Sequence, residues 1–115
     1  MDKEKIVQNT ESYDLIGDVH GHANLLSALV EKLGYSRKGP SYEHPQGRKL
    51  VFVGDLVNRG PDSAGVLRIV RKTWEEGNAY VALGNHEFRI LQLSSMNKGL
   101  PDTSYEPFIP WLKTL

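Results

Sequence analysis

Three times along this chain a short, mainly apolar run ends in glycine and passes directly into residues of the types that metals and anions favour as partners. Leu50-Val51-Phe52-Val53 runs into Gly54-Asp55, with Asn58, Arg59 and then Pro61-Asp62-Ser63 close behind. Tyr13-Asp14-Leu15-Ile16 runs into Gly17-Asp18-Val19-His20-Gly21, and Tyr80-Val81-Ala82-Leu83 into Gly84-Asn85-His86-Glu87. Runs rich in β-branched and aromatic residues read as buried strands. A strand that hands over to polar groups just before a helix places them at the carboxyl edge of an open α/β sheet. The intervals Asp18 to Asp55 and Asp55 to Asn85 each exceed the roughly dozen residues that a helical crossover between parallel strands needs. The pattern therefore predicts parallel strands at Tyr13–Ile16, Leu50–Val53 and Tyr80–Leu83, right-handed crossovers between them, and three ligand clusters on one edge.

The crossovers carry their own signals. Leu25, Leu29 and Leu33 recur at four-residue steps beside Leu26 and Val30, and Gly34 closes the run, which predicts an amphipathic helix over Ala23–Leu33. Its free N–H groups would face the Asp18/His20 cluster and suit a phosphate. Asp62-Ser63 announces a second helix with Val66, Val70 and Trp74 on its packing face, ending at Gly77. A third follows His86, with Phe88, Leu91 and Met96 as its apolar stripe and Ile90 and Leu93 alongside, and fades at Asn97-Lys98-Gly99. Tyr35–Lys49, with Gly39-Pro40, Pro45 and Gln46-Gly47, reads as a loop with a short extended turn around Tyr42. Pro101, Pro107 and Pro110 break the C-terminal stretch, leaving room for a short helix over Glu106–Leu112. Residues 1–11 are expected to form a flexible polar arm, with Ile6-Val7 as a candidate edge strand, and residues 12–115 a single domain.

Fourteen basic and fourteen acidic residues give a formal net charge of +0, so no global field attracts nucleic acid or an anionic membrane, and anion recognition must be local. The chain has no cysteine, which removes disulfides and thiolate metal sites and fits a reducing compartment. The charged start Met1-Asp2-Lys3-Glu4-Lys5 is unlike a signal peptide, and no run reaches membrane-spanning length. A cytoplasmic location is the expectation.

Gly17-Asp18-Val19-His20-Gly21, Gly54-Asp55-Leu56-Val57-Asn58-Arg59-Gly60 and Gly84-Asn85-His86-Glu87, in that order and spacing, resemble the N-terminal signatures of the calcineurin-like metallophosphoesterases. Within that superfamily the segments Gly54–Ser63 and Leu83–Phe88 look most like the branch of Ser/Thr phosphoprotein phosphatases and diadenosine tetraphosphate hydrolases. The resemblance runs from Tyr13 to about Phe88. It implies the N-terminal portion of a four-layer α/β/β/α sandwich and hydrolysis of phosphomonoesters or phosphoanhydrides without a covalent enzyme intermediate. It also implies two divalent ions, of manganese, iron, zinc or nickel, with manganese favoured.

The resemblance assigns Asp18 and His20 to the first metal, Asp55 to a position bridging two metals about 3.5–4 Å apart, and Asn85 to the second metal. It makes His86 the general acid and Arg59 the phosphate clamp, for which a planar guanidinium fork suits better than an ammonium. Read alone, the same residues also fit a surface carboxylate, a solvated imidazole, a turn aspartate, a helix N-cap asparagine and an exposed turn arginine. Two departures stand out. Asn58 occupies a place where protein phosphatases usually carry an aspartate; it can contact substrate and hydrogen-bond His86 but cannot stabilise an imidazolium by charge. No histidine follows His86 to supply the family's later ligands, and the spare His22 and His44 read as helix-terminal and solvated. A truncated domain, a catalytically incomplete binding module as the alternative function, and homo-oligomerisation through uncovered apolar surface are the resulting expectations.

Overall fold

The computed structural model describes residues 12–100 and 102–115, so the predicted arm at 1–11 lies outside the described residues. In chain order the elements are β1 (Tyr13–Ile16), α1 (Ala23–Lys32), β2 (Ser36–Lys38), β3 (Ser41–Glu43), β4 (Lys49–Val53), α2 (Ser63–Glu75), β5 (Ala79–Ala82), α3 (Asn85–Ser95), a 3-10 helix (Thr103–Phe108) and α4 (Ile109–Leu112). β1, β4 and β5 form a parallel sheet with β4 in the middle. Ile16 lies beside Phe52, and Phe52 beside Val81. Parallel register makes the segments after Ile16, Val53 and Ala82 leave the sheet at the same edge, so the three predicted clusters converge by topology alone.

Strand alternation decides which residues build the core. Ile16, Leu50, Phe52 and Ala79 point to one face and are buried with Val30 of α1, Val66 and Val70 of α2, and Ile90 of α3. Each of these side chains larger than alanine contributes about 1.5–3 kcal/mol by leaving water. The alternate residues Leu15 and Val53 point the other way, and Leu15 stays 71% exposed. The described residues thus supply one helical layer and one sheet layer of the expected sandwich.

Several sequence expectations need correction. On α1 the buried stripe is Ala23, Leu26 and Val30, whereas Leu25 is 66% exposed and Leu29 and Leu33 also face outward. The helix is apolar on two adjacent stripes, and periodicity cannot say which one meets the sheet. On α3 the buried positions are Glu87 and Ile90, while Phe88 is 59% exposed and Met96 is exposed too. β5 begins one residue earlier than predicted, at Ala79, and Gly84, not Asn85, is the N-cap of α3.

The Tyr35–Lys49 segment is more ordered than a loop: β2 and β3 form an antiparallel hairpin turning at Gly39-Pro40. Fully buried Tyr42 ties α1 to α2, its hydroxyl donating to Glu31 Oε2 at 2.8 Å and its N–H to Thr73 Oγ1 at 3.2 Å. His44 is docked rather than solvated, ring to ring with Tyr35 at 4.8 Å and against the Leu33 carbonyl at the C-terminal end of α1. The C-terminal stretch holds the short helix expected there and starts it earlier, at Thr103; Trp111 packs on Trp74 with ring centroids 5.9 Å apart.

A pH-sensitive tie fixes β1 to the strand beside it. Arg48 grips Asp14 with two prongs, Nη2 to Oδ1 at 2.8 Å and Nε to Oδ2 at 2.9 Å, and the Tyr35 hydroxyl donates to Oδ2 at 2.7 Å. The hydrogen bonds from Arg48, more than any other cause, pull the Asp14 carboxyl down to about 2. A folded value below the unfolded one of about 3.9 gives stability that is full above roughly pH 5 and drains away as pH falls through the folded value. The pair is partly solvated, so about 1–2 kcal/mol is expected. Melting curves should show Asp14→Asn less stable than wild type at pH 6, with the gap closing near pH 2; a constant gap would remove the ion pair as its cause.

Candidate metal centre

The turns at the sheet edge are made by residues in an uncommon backbone region. Among the described residues, Asp18 (φ 52), His20 (φ 43), Asp55 (φ 49), Asn58 (φ 69) and Arg59 (φ 75) have left-handed φ, and the one other non-glycine residue to do so is Asn97, just past α3. Each such residue costs on the order of 1–2 kcal/mol, so their gathering at one edge marks a place where geometry outranks local stability.

Backbone hydrogen bonds knit the first two loops together: His20 N–H donates to the Asp55 carbonyl at 2.9 Å, Gly21 to Leu56 at 2.8 Å and Gly60 to His20 at 2.6 Å. Glycine permits this closeness. A Cβ on Gly60 would overlap the His20 carbonyl, and one on Gly84 would overlap the backbone N–H of Asp55. The third loop is held by Glu87, a fully buried carboxylate. Its Oε2 accepts from Leu56 N at 2.8 Å and Val57 N at 3.3 Å, and its Oε1 from Gly84 N at 2.8 Å.

This framework brings one ligand atom each from Asp18, His20 and Asp55 within 4.8 Å of one another. His20 Nδ1 lies 3.2 Å from the Val57 carbonyl. A carbonyl only accepts, so the ring proton sits on Nδ1 and Nε2 offers its lone pair, 3.9 Å from Asp18 Oδ1. Asp55 Oδ1 accepts from His86 N at 3.3 Å, which leaves Oδ2 for another partner. Two carboxylates and a correctly protonated imidazole form a donor set suited to a first-row divalent ion.

The other predicted residues surround this cluster. The His86 ring lies edge-on to His20 with centroids 4.9 Å apart, and Asn58 Nδ2 reaches His86 Nδ1 at 3.0 Å. Asn85 is the exposed first residue of α3, and Arg59 is exposed on the same loop as Asn58; among the described residues neither side chain has a hydrogen-bonding partner. The structure does not bring His22 or His44 into the cluster: His22 occupies the N-cap position of α1 without a side-chain capping bond, and His44 sits at that helix's far end.

A model of the calcineurin-like phosphoesterase family matches residues 13–114. The chain belongs to that family. It is 51% identical over 74 residues to the asymmetrical bis(5'-nucleosyl)-tetraphosphatase PrpE of Halalkalibacterium halodurans, covering 64% of this chain and 30% of that protein. With the PrpE protein of Oceanobacillus iheyensis it shares 42% identity over 98 residues, covering 81% of this chain and 39% of the relative. A crystal structure provisionally assigned as a diadenosine tetraphosphatase superposes with a TM-score of 0.65 at 29% identity, covering 93% of this chain and 44% of that one. The chain thus spans about a third of the length of these curated relatives and less than half of the structural neighbour. Among the described residues no helix is long and apolar enough to cross a membrane.

Membership of this metallophosphoesterase family implies divalent metal ions, and the Asp18/His20/Asp55 donor set fits them. Two residues that shape the site escaped the sequence reading. Glu87 had a signal: a glutamate three residues after a helix N-cap reaches back to the cap N–H. Tyr105, whose hydroxyl donates to Asn58 Oδ1 at 2.6 Å, had none, because the contact joins residues far apart in sequence.

Proposed function

We propose that the chain carries the metal-binding and phosphate-binding part of a phosphoesterase that cleaves phosphoanhydrides of the dinucleoside polyphosphate class with water. The observation that carries the reading is the convergence of Asp18, His20 and Asp55 within 4.8 Å, with His86 beside them. The names of the PrpE relatives favour dinucleoside polyphosphates over phosphoproteins or small phosphomonoesters as substrate.

Asp18 and His20 would hold one ion, Asp55 would serve two, and Asn85 would add an amide oxygen for the second, with manganese as the preferred metal. Such ions supply Lewis acidity and an activated water for attack at phosphorus. The chain's own residues do the rest. Arg59, exposed and without an intramolecular partner among the described residues, is placed to bind phosphate oxygens through its guanidinium fork. His86 is held beside the metal ligands with a ring nitrogen available to a leaving oxygen, and Asn58 fixes that ring. A cytoplasmic setting fits a cysteine-free chain.

A second reading, a binding module with an incomplete site, is favoured by the three-residue donor set. Both readings expect one ion to bind this chain much more tightly than a second, because the second is left with Asp55 and Asn85. They also expect self-association, since Leu15 and Leu25 stay exposed on an apolar sheet face and an apolar helix stripe.

Calorimetric manganese titration, light scattering, and hydrolysis assays with diadenosine tetraphosphate and a phosphoserine peptide test these points together. Arg59→Lys should weaken capture of the tetraphosphate by about tenfold while metal affinity holds, since a point charge replaces a fork. Loss of metal with unchanged substrate binding would make Arg59 structural. A monomer that binds two ions tightly and turns over a phosphoester would sink the binding-module reading, and absence of any metal binding would sink both.

A further inference from the structure

Asn58 is gripped at both ends of its amide, and the outer grip comes from the C-terminal 3-10 helix. Its backbone takes a left-handed φ of 69, which asparagine tolerates better than most residues, and its N–H donates to Ser63 Oγ at 2.9 Å. Tyr105, only 2% exposed, closes on Oδ1 at 2.6 Å, and Nδ2 lies 3.0 Å from His86 Nδ1. Tyr105 is itself fixed by its chain neighbours: Phe108, Ile109 and Trp111 are buried in the common core, and Asp102 caps the turn by accepting from Ser104 N at 2.9 Å.

The two distances choose the amide's orientation. An O–H to oxygen hydrogen bond spans about 2.5–3.0 Å, whereas N–H to oxygen spans about 2.7–3.2 Å. A contact of 2.6 Å therefore puts the amide oxygen, not its nitrogen, against the Tyr105 hydroxyl. The NH₂ group then faces His86, at a separation of 3.0 Å that suits N–H to nitrogen. A donor facing Nδ1 requires a lone pair there, so the single proton of the neutral ring is on Nε2. An aspartate at position 58 would impose the opposite arrangement, because a carboxylate accepts and would draw the proton to Nδ1.

We propose that Tyr105 is a positioning residue that, by fixing the orientation of the Asn58 amide, holds His86 in the Nε2–H tautomer and so presents a proton on the nitrogen turned away from Asn58. This rests on the phosphoesterase reading only for the use made of that proton; the tautomer itself is a property of the chain. In this arrangement His86 meets a leaving oxygen as a neutral hydrogen-bond donor, and Asn58 with Tyr105 does the work of orientation that a lone carboxylate would do by charge.

The test is imidazole ¹⁵N and ¹³C NMR of the metal-free, full 115-residue chain, at a pH where histidine rings are neutral, with the His86 signals assigned from a His86→Asn sample. Wild type should show Nε2–H in excess by roughly tenfold, the preference one well-formed hydrogen bond supports. Tyr105→Phe, which removes only the hydroxyl, should bring the two tautomers to comparable amounts. Asn58→Asp should reverse the preference to Nδ1–H. Nδ1–H in the wild type, an unchanged ratio in Tyr105→Phe, or Nε2–H in Asn58→Asp would each overturn the proposal. Should Tyr105→Phe fail to fold, the wild type still decides it: the Tyr105 hydroxyl proton must exchange slowly and give Overhauser cross-peaks to the Asn58 side chain, and their absence overturns the assignment. None of these outcomes depends on metal binding or hydrolysis, so a chain that shows them but binds no divalent ion would retire the function and keep the tautomer.

Discussion

Asp55→Asn is expected to weaken divalent-metal binding by about 100-fold or more while leaving the metal-free fold intact. Changes to groups that merely support metal ligands cost about 10–100-fold, so the loss of a ligand's charge should reach at least the upper end. The substitution changes little else. The amide that replaces the carboxylate keeps an oxygen for the His86 N–H that Asp55 Oδ1 accepts at 3.3 Å, and the backbone bond from His20 N–H to the carbonyl of residue 55 at 2.9 Å is untouched. Asparagine also tolerates the φ of 49 found there. Calorimetry with manganese reads the affinity, and thermal melts with and without metal read the coupling. Wild type should gain stability with metal, and the variant should not. In any longer form that hydrolyses a phosphoester, the same change should remove most of the activity. Wild-type metal affinity in Asp55→Asn would show that Asp55 holds the loop and not the ion.

That residue was also among the most legible in the sequence, for a physical reason. Asp18, His20, Asp55 and His86 each come after a strand-ending glycine, and parallel strands must release their chains at one edge, so local pattern and topology together imply convergence. What the pattern could not supply was information carried by partners distant in sequence. Leu25 and Leu26 are equally apolar; only the sheet's position decides that Leu26 is buried and Leu25 is exposed. The β2–β3 hairpin has strands of three residues, too short for alternation to register, and its order comes from Tyr42 bonding to Glu31 and Thr73. Asn58 was readable as a partner of His86 because the two motifs were already expected to meet. Tyr105 was not, since a tyrosine in a proline-broken tail has no local feature that directs it to that loop.

Glu87→Gln should cost about 3 kcal/mol of stability, more than any conservative change on the exposed face of α3. The carboxylate is 0% exposed and is ringed by donors: Leu56 N and Val57 N on Oε2, Gly84 N on Oε1. A carboxylate is acceptor-only and satisfies all three. An amide must turn its NH₂ group towards one side, which sets donor against donor and leaves at least one buried or partly buried N–H unsatisfied at about 1–3 kcal/mol, while the charge-assisted character of the remaining bonds is lost. Glu87→Ala is expected to be worse, since all three N–H groups lose their acceptor. The damage should also reach the metal. Val57 supplies the carbonyl that faces His20 Nδ1 at 3.2 Å, and Leu56 follows Asp55 directly, so slack at the clasp loosens two of the three clustered candidate ligands at once. Urea unfolding should show a lowered midpoint with an unchanged slope, and manganese affinity should fall in step. An unaltered midpoint in Glu87→Gln would mean that the β4–α2 loop keeps its shape without the carboxylate, its left-handed turns at Asp55 and Asn58 being held by the backbone bonds to His20 and Gly21 together with the bonds from Asn58 N to Ser63 Oγ and from Tyr105 to the Asn58 side chain.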